Sequence, residues 1–144
     1  MIQNKLFRDC LAAIPAEQKA EFDLSFGIAE RISEILKTKG LTQKDFARLL
    51  NKRDSEISKW LTGRHNFTTQ TIARIETALG SKLISIAHWL GYAYKKPKKK
   101  DFARMLHKRD SEISKWLTGR HNFTTQTIAR IQTALGCNLI NIAH

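Results

Sequence analysis

The side chains in this chain that could bind a ligand or do chemistry are small polar and cationic groups, which lie around short apolar runs. Within residues 43–66 they supply amide, hydroxyl, ammonium and guanidinium groups, which bind phosphate oxygens and base edges. The five histidines form no HExxH motif or nucleophile arrangement, and no phosphate-binding glycine loop is present: His65, His88, His107, His121, His144. The pattern therefore indicates polyanion binding, and no enzyme and no cofactor are expected.

The chain contains a long internal repeat. Residues 44–88 recur as residues 100–144, shifted by 56 positions, with 39 of 45 residues identical. Hereafter residues 44–88 are copy one and residues 100–144 are copy two. Almost a third of the chain therefore duplicates another third.

The net charge of +12 is concentrated in the repeats. Residues 1–43 carry six cations and six anions, so the excess lies in the two copies and the connector 89–99. Such a field favours nucleic acid over a membrane surface, because no segment combines a long apolar face with this charge. The alternative is a basic protein whose charge only keeps it soluble.

Targeting and metal signals are absent from the sequence. Cys10 and Cys137 stand alone, without the spacing of a disulfide framework or a zinc site, so no metal is expected. No signal peptide and no stretch of about 18 apolar residues occurs. These features predict a cytoplasmic protein that does not contact membranes.

Apolar spacing predicts a series of short helices. Residues 1–22 form a helical arm interrupted at Pro15, and helix one begins at Asp23 with an apolar stripe: Ile28, Ala29, Ile32, Ile35, Leu36. Thr42 caps helix two, Asp54 or Ser55 caps helix three, and Thr68 caps helix four. Residues 83–87 could be a strand or a last helix.

Copy two repeats helices two to four but not helix one. The 56-residue shift places His88 and Gly91 where helix one has Ile32 and Ile35, so the apolar stripe is lost. Copy two therefore needs another segment to cover its core, either residues 83–94 of this chain or helix one of another chain. The connector 89–99, with three aromatics and four lysines, could contact a phosphate backbone, form a solvated linker or supply core to copy two.

The string LTQKDFARLLNKRDSEISKWLTGRHNFTTQTIARIETALG resembles the helix-turn-helix family of phage repressors and XRE-type regulators, which includes many antitoxins. The resemblance covers about residues 24–86 and, from the second helix onward, 100–142. It implies an all-α, lambda-repressor-like bundle of four to five short helices. The expected organisation is an N-terminal helical arm at 1–22, a complete domain at 23–88, the connector at 89–99 and a partial tandem copy at 100–144.

The resemblance also implies which residues contact DNA. The family places helix three in the major groove, and its base-reading positions correspond to Asp54, Ser55, Ser58, Lys59. Its phosphate contacts, with the added charge of the turn, correspond to Gln43, Lys52, Arg53, Thr62, Arg64, His65, Asn66. The set in copy two is Asp110, Ser111, Ser114, Lys115, Arg120, His121, Asn122, and Lys99 replaces Gln43.

Two of these assignments have a structural alternative. Asp54 could be only an N-cap, and Arg64 could be a solvated loop cation. Glu56, outside the set, is expected to face solvent as a partner of Lys52, Lys59 or Arg53.

Two functions remain open on this reasoning. The first is a sequence-specific regulator that binds double-stranded DNA, either as a single chain or as a homodimer. The second is an antitoxin whose arm covers a toxin protein. Two binding modules in tandem should prefer direct repeats, whereas a homodimer of single modules should prefer a palindrome. Copy two could also be a duplication that does not fold.

Overall fold

The computed structural model describes residues 5–6, 8–9, 13–87, 98–119 and 121–143. The first half contains α1 (Ala16–Lys39), α2 (Gln43–Leu50), α3 (Asp54–Leu61), α4 (Thr69–Leu79) and β1 (Ile84–Ile86). The second half contains α5 (Lys99–Met105), α6 (Asp110–Leu117), α7 (Thr125–Leu135) and β2 (Ile140–Ile142). The predicted helical bundle is confirmed, and residues 83–87, left open above, contain a strand. None of the helices described is long and apolar enough to span a membrane.

Helix α1 is longer than predicted. Pro15 is its N-cap, with ψ of 143°, and the helix ends at Gly40, whose φ of 67° is the left-handed conformation that glycine adopts at little cost. One helix of 24 residues, about 36 Å long, therefore crosses the predicted boundary between residues 22 and 23. The described part of the arm from Ala16 onward and helix one are a single element.

The core of copy one lies beneath the C-terminal half of α1. Ile28 and Ile32 are fully buried against residues from all three following helices and from the segment before β1. The apolar stripe predicted for helix one is thus the one that covers this core: Ile28, Ala29, Ile32, Ile35, Leu36. The core residues that it meets include Phe46, Ile57, Trp60, Phe67, Ile72, Ile75, Leu79, Leu83.

The two copies pack together around a two-fold relation. Strands β1 and β2 pair antiparallel, with Ile84 opposite Ile142, Ser85 opposite Asn141 and Ile86 opposite Ile140. Subtracting 56 from the numbers in copy two turns Asn141 into position 85, so position 85 pairs with its own equivalent. In the same way, position 84 of each copy pairs with position 86 of the other. An interface that pairs each position with its own equivalent is the isologous kind found in two-fold dimers.

A second set of reciprocal contacts joins the starts of α4 and α7. Thr68 and Thr124, which are equivalent positions, form an antiparallel bridge. The Thr69 N–H donates to the Phe123 carbonyl at 2.7 Å, and the Thr125 N–H donates to the Phe67 carbonyl at 2.7 Å. The chain therefore folds as an intramolecular pseudo-dimer, with its axis passing between Thr68 and Thr124 and between Ser85 and Asn141.

The N-terminal half of α1 covers part of copy two. Leu24 packs in a cluster with Ile128, Ala129 and Ile140, and the Ser25 and Thr125 hydroxyls share a hydrogen bond of 3.4 Å. At Gly27 the helix passes so close to β2 that an added Cβ would lie 2.7 Å from Ile142 Cγ1. One helix of the same chain thus supplies part of the cover that copy two was expected to need.

The two halves differ because α1 has no counterpart among the residues described in copy two. Ala129 on α7 is fully buried beneath α1, whereas the equivalent Ala73 on α4 is exposed. Leu117 is 71% exposed, whereas the equivalent Leu61 is partly buried against the core. Copy two is folded in the structure, but its core is less completely covered than that of copy one.

The sequence of copy two changes where α1 lies over it. Glu76 accepts a hydrogen bond from the Leu83 N–H at 2.8 Å, and its carboxylate lies 3.9 Å from Lys82 Nζ. The equivalent Gln132 accepts from Leu139 N–H at 2.9 Å but is buried, with Asn138 in the place of Lys82. A charged pair is thus replaced by a neutral pair at the buried position, which avoids desolvating a carboxylate.

Replacing Gln132 by glutamate should therefore destabilise the protein by about 1–3 kcal/mol, because the new charge is buried without a cationic partner. The matched control, Glu76→Gln, retains an acceptor for the Leu83 N–H at a more exposed position and should cost much less. Urea denaturation at pH 7 measures both changes. Equal effects of the two substitutions would contradict this account of the neutral pair.

Candidate nucleic-acid interface

Helix α3 is oriented by the apolar residues on its inner side. Ile57 is fully buried and Trp60 is 6% exposed, so the residues between and before them face solvent. The four predicted base-reading residues are all exposed on this helix: Asp54, Ser55, Ser58, Lys59. Because residues four apart are neighbours on a helix, they form two adjacent rows of polar groups on one exposed face.

The start of α3 differs from the expectation. Its N-cap is Arg53, and Asp54 is the first helical residue, so the alternative that Asp54 or Ser55 is the N-cap is wrong. Glu56, expected to pair with a neighbouring cation, accepts a hydrogen bond at Oε2 from the Arg53 N–H at 3.2 Å. The carboxylate thus satisfies an N–H at the helix start, where negative charge is favourable.

Gln43 connects α2 to α3. Its Nε2 donates to Ser58 Oγ at 2.7 Å and to the Asp54 carbonyl at 3.3 Å. Both amide hydrogens are therefore engaged with α3, and the remaining Oε1 is an acceptor. The structure thus places the side chain predicted to contact phosphate against α3, where it positions Ser58. Ser58, which accepts this bond, retains its own O–H to donate.

The first turn of α2 holds Gln43 in place. Asp45 N–H donates to Thr42 Oγ1 at 3.1 Å, and the Thr42 N–H donates to Asp45 Oδ2 at 2.9 Å. This capping box satisfies two N–H groups that the helix itself cannot. Hydrogen bonding from the Thr42 backbone, reinforced by its side chain, lowers the pKa of the Asp45 carboxyl below its usual value.

The loop after α3 keeps one of its predicted phosphate-binding groups clearly available. Thr62 Oγ1 donates to the Lys59 carbonyl at 2.7 Å, so its hydroxyl hydrogen is already used. Gly63 has a φ of 78° and lies against Phe26, where an added Cβ would be 3.0 Å from the ring. Arg64 is exposed beside this contact, and Lys52 and Arg53 are exposed in the preceding turn.

His65 is an aromatic packing residue in this loop. Its ring lies 5.4 Å from Trp60 at an angle of 31° and 4.7 Å from Phe67 in a T-shaped arrangement. Burial, and then the charge of Lys52, lowers the pKa of His65 below its usual value. The neutral imidazole is therefore favoured at pH 7, and His65 adds no full positive charge to the surface.

Asn66 and Asn122 contact the opposite copy. Asn66 Oδ1 accepts from the Gln126 N–H at 2.9 Å and from the Thr125 hydroxyl at 2.9 Å. Reciprocally, Asn122 Oδ1 accepts from Gln70 N–H at 2.9 Å and from the Thr69 hydroxyl at 3.0 Å. The structure therefore places both predicted phosphate ligands in the interface between the copies. Sequence reasoning missed this role because the contacts join residues more than 50 positions apart.

Copy two reproduces the exposed helix with small differences. Ile113 is fully buried, and Asp110, Ser111 and Lys115 are exposed on α6, while Ser114 is half-buried. Glu112 Oε2 accepts from the Arg109 N–H at 3.1 Å, as in copy one.

Among the described residues, α6 lacks a hydrogen bond that α3 makes with the preceding helix. His121 is exposed and lies 5.6 Å from Trp116, and the predicted phosphate ligand Arg120 lies outside the described residues. No hydrogen bond links Lys99 to Ser114 in the part of the chain that the structure describes, so the Gln43 contact has no equivalent there.

A comparison with known protein families identifies the class of domain to which this surface belongs. The family model described as helix-turn-helix matches residues 32–85, which include α2, α3 and α4, and the match does not extend to copy two. No curated protein and no solved structure matches the chain. The matched family binds DNA and is not an enzyme family. Residues 32–85 are therefore an XRE/Cro-like helix-turn-helix domain, and DNA is the partner that this domain implies.

Proposed function

We propose that this protein is a sequence-specific transcriptional regulator that places α3 in the major groove of double-stranded DNA. The observation that carries the proposal is the exposed polar face of α3 within a helix-turn-helix domain. A major groove is wide enough to admit one α-helix, whose side chains then reach base edges. The buried Ile57 and Trp60 hold the helix against the core of copy one, so this face points outward.

The exposed groups divide into base-reading and phosphate-binding sets. Ser55 and Ser58 can donate or accept at base edges, Lys59 can donate to guanine O6 or N7, and Asp54 can accept from cytosine N4. Lys52, Arg53 and Arg64 supply the charge that positions the domain on the phosphate backbone. Gln43 supports this reading surface, because its side-chain amide holds the Ser58 hydroxyl through a hydrogen bond.

Replacing Arg64 by alanine should weaken binding to all DNA sequences alike. Loss of one phosphate contact should lower the slope of log affinity against log salt by about one unit. Binding titrations of a random-sequence duplex at several salt concentrations measure this slope. Lys37→Ala, which removes an exposed cation at the C-terminal end of α1, is the control and should leave the slope nearly unchanged. An unchanged slope for Arg64→Ala would contradict the proposed docking.

The antitoxin alternative rests on the family resemblance and on the neutral charge of residues 1–43, which is compatible with a protein contact. Leu24, just after the arm at 1–22, packs on copy two of the same chain. Glu17, nearer the helix start, lies 3.8 Å from Arg130 on α7. These contacts engage the C-terminal part of the arm within the chain, and they favour DNA regulation over capture of a toxin by this part of the arm.

A further inference from the structure

We infer that a single chain is the complete DNA-reading unit and that its target is an inverted repeat, with one half-site read by α3 and the other by α6. This inference rests on the proposed function. It goes further, because it assigns a reading role to copy two and fixes both the symmetry of the site and the number of chains that bind it.

The symmetry of the interface determines the symmetry of the site. The strand pairing at Ser85 and Asn141 and the bridge at Thr68 and Thr124 relate the copies by a two-fold axis. Two readers related in this way present their helices in opposite directions along the duplex, as required by an inverted repeat. Direct repeats, which the sequence predicts for two tandem modules, would need the copies to be related by a translation. The reciprocal contacts exclude such a translation.

The two half-sites should have the same sequence. Helices α3 and α6 have the same eight residues, DSEISKWL, and the same backbone conformation at the residue before each helix, with φ of −77° in both. The buried residue that orients each helix is also equivalent, Ile57 in α3 and Ile113 in α6. Identical side chains on helices oriented by equivalent buried residues should select the same base pairs, with the Ser58 hydroxyl positioned by Gln43 in copy one alone among the described residues.

The length of chain between each reading helix and the axis is compatible with adjacent major grooves. Leu61 ends α3 seven positions before Thr68, which lies at the axis, and copy two has the same spacing from Leu117 to Thr124. Seven residues span at most about 25 Å. This upper limit on each side of the axis leaves room for the separation of about 34 Å between successive half-sites on one face of DNA.

Copy two occupies the surface through which copy one would bind a second chain. An isologous surface is self-complementary, so without copy two it would pair with the same surface of another molecule. Here Asn66 and β1 are already engaged by α7 and β2. The linkage makes this pairing intramolecular, which favours it over pairing between separate chains at low concentration.

The first test is the number of chains per DNA molecule. A duplex of about 30 base pairs, selected from random DNA by the whole chain, is long enough for two half-sites. Native mass spectrometry of the complex should give one chain per duplex, with the same stoichiometry over a wide range of protein concentrations. Two chains per duplex would overturn the inference. Failure to select any sequence would instead overturn the proposed function.

The second test uses the duplicated reading helix as its own control. Lys59→Ala and Lys115→Ala make the same change on exposed positions of α3 and α6. Each should lower affinity for the inverted repeat about tenfold, and the double variant about a hundredfold, because the sites are separate. Loss of affinity with Lys59→Ala alone, and none with Lys115→Ala, would show that copy two does not read DNA and would overturn the inference.

Discussion

Replacing Leu24 by aspartate is expected to release copy two from α1 and to unfold it, while copy one remains folded. Leu24 is 7% exposed and packs against Ile128, Ala129 and Ile140. An unpaired carboxylate in this apolar cluster should cost about 3–5 kcal/mol. The core of copy one depends on later positions of the same helix, such as Ile28 and Ile32, and should be affected much less.

Amide hydrogen exchange over residues 98–119 and 121–143, compared with residues 43–87, measures this difference. In Leu24→Asp the second half should lose protection while the first half retains most of it. Phe22→Asp, which introduces the same charge on the same helix at a position 45% exposed, is the control and should leave both halves protected. If copy two stayed protected in Leu24→Asp, α1 would not be its cover.

Replacing Asn66 by alanine is expected to weaken the contact between the copies and, through it, binding to a complete inverted repeat. Asn66 Oδ1 accepts from Gln126 N–H and from the hydroxyl of Thr125, which is fully buried. Loss of these two bonds should destabilise the protein by about 1–3 kcal/mol, because the buried Thr125 hydroxyl then keeps only its longer bond with Ser25. Asn122→Ala should cost less, since its partner Thr69 is only half-buried.

Binding to a complete inverted repeat and to a single half-site separates the two roles considered for Asn66. The interface role predicts weaker binding to the complete repeat and unchanged binding to the half-site, because α3 itself is intact. A phosphate contact, as the sequence first suggested, predicts an equal loss on both duplexes. Equal losses would therefore contradict the interface role.

Much of the first domain could be predicted from its sequence because its signals are local. The apolar stripe from Ile28 to Leu36 predicted the buried face of α1, and Thr42 predicted the start of α2. Ile57 and Trp60, three residues apart on α3, form a local apolar pattern of the same kind and lie on its buried side. Each of these patterns involves side chains less than three helical turns apart.

The arrangement of the two copies could not be predicted, because many of its contacts are made by the backbone and the others join side chains far apart in sequence. The hydrogen bonds between β1 and β2, and those between Thr69 and Phe123, use N–H and carbonyl groups that every such residue carries. The roles of Gln43 and Asn66 were missed for a related reason, since their acceptors and donors lie on other elements. One signal was present: the simultaneous loss of Glu76 and Lys82 in copy two indicated a changed environment there.

We infer that one chain presents two equivalent reading helices about a two-fold axis. The most direct test is the symmetry of the DNA that the whole chain selects from a random pool. The structure predicts an inverted repeat of two matching half-sites whose centres lie about one helical turn apart. A direct repeat, or a single half-site with no fixed partner sequence, would contradict it.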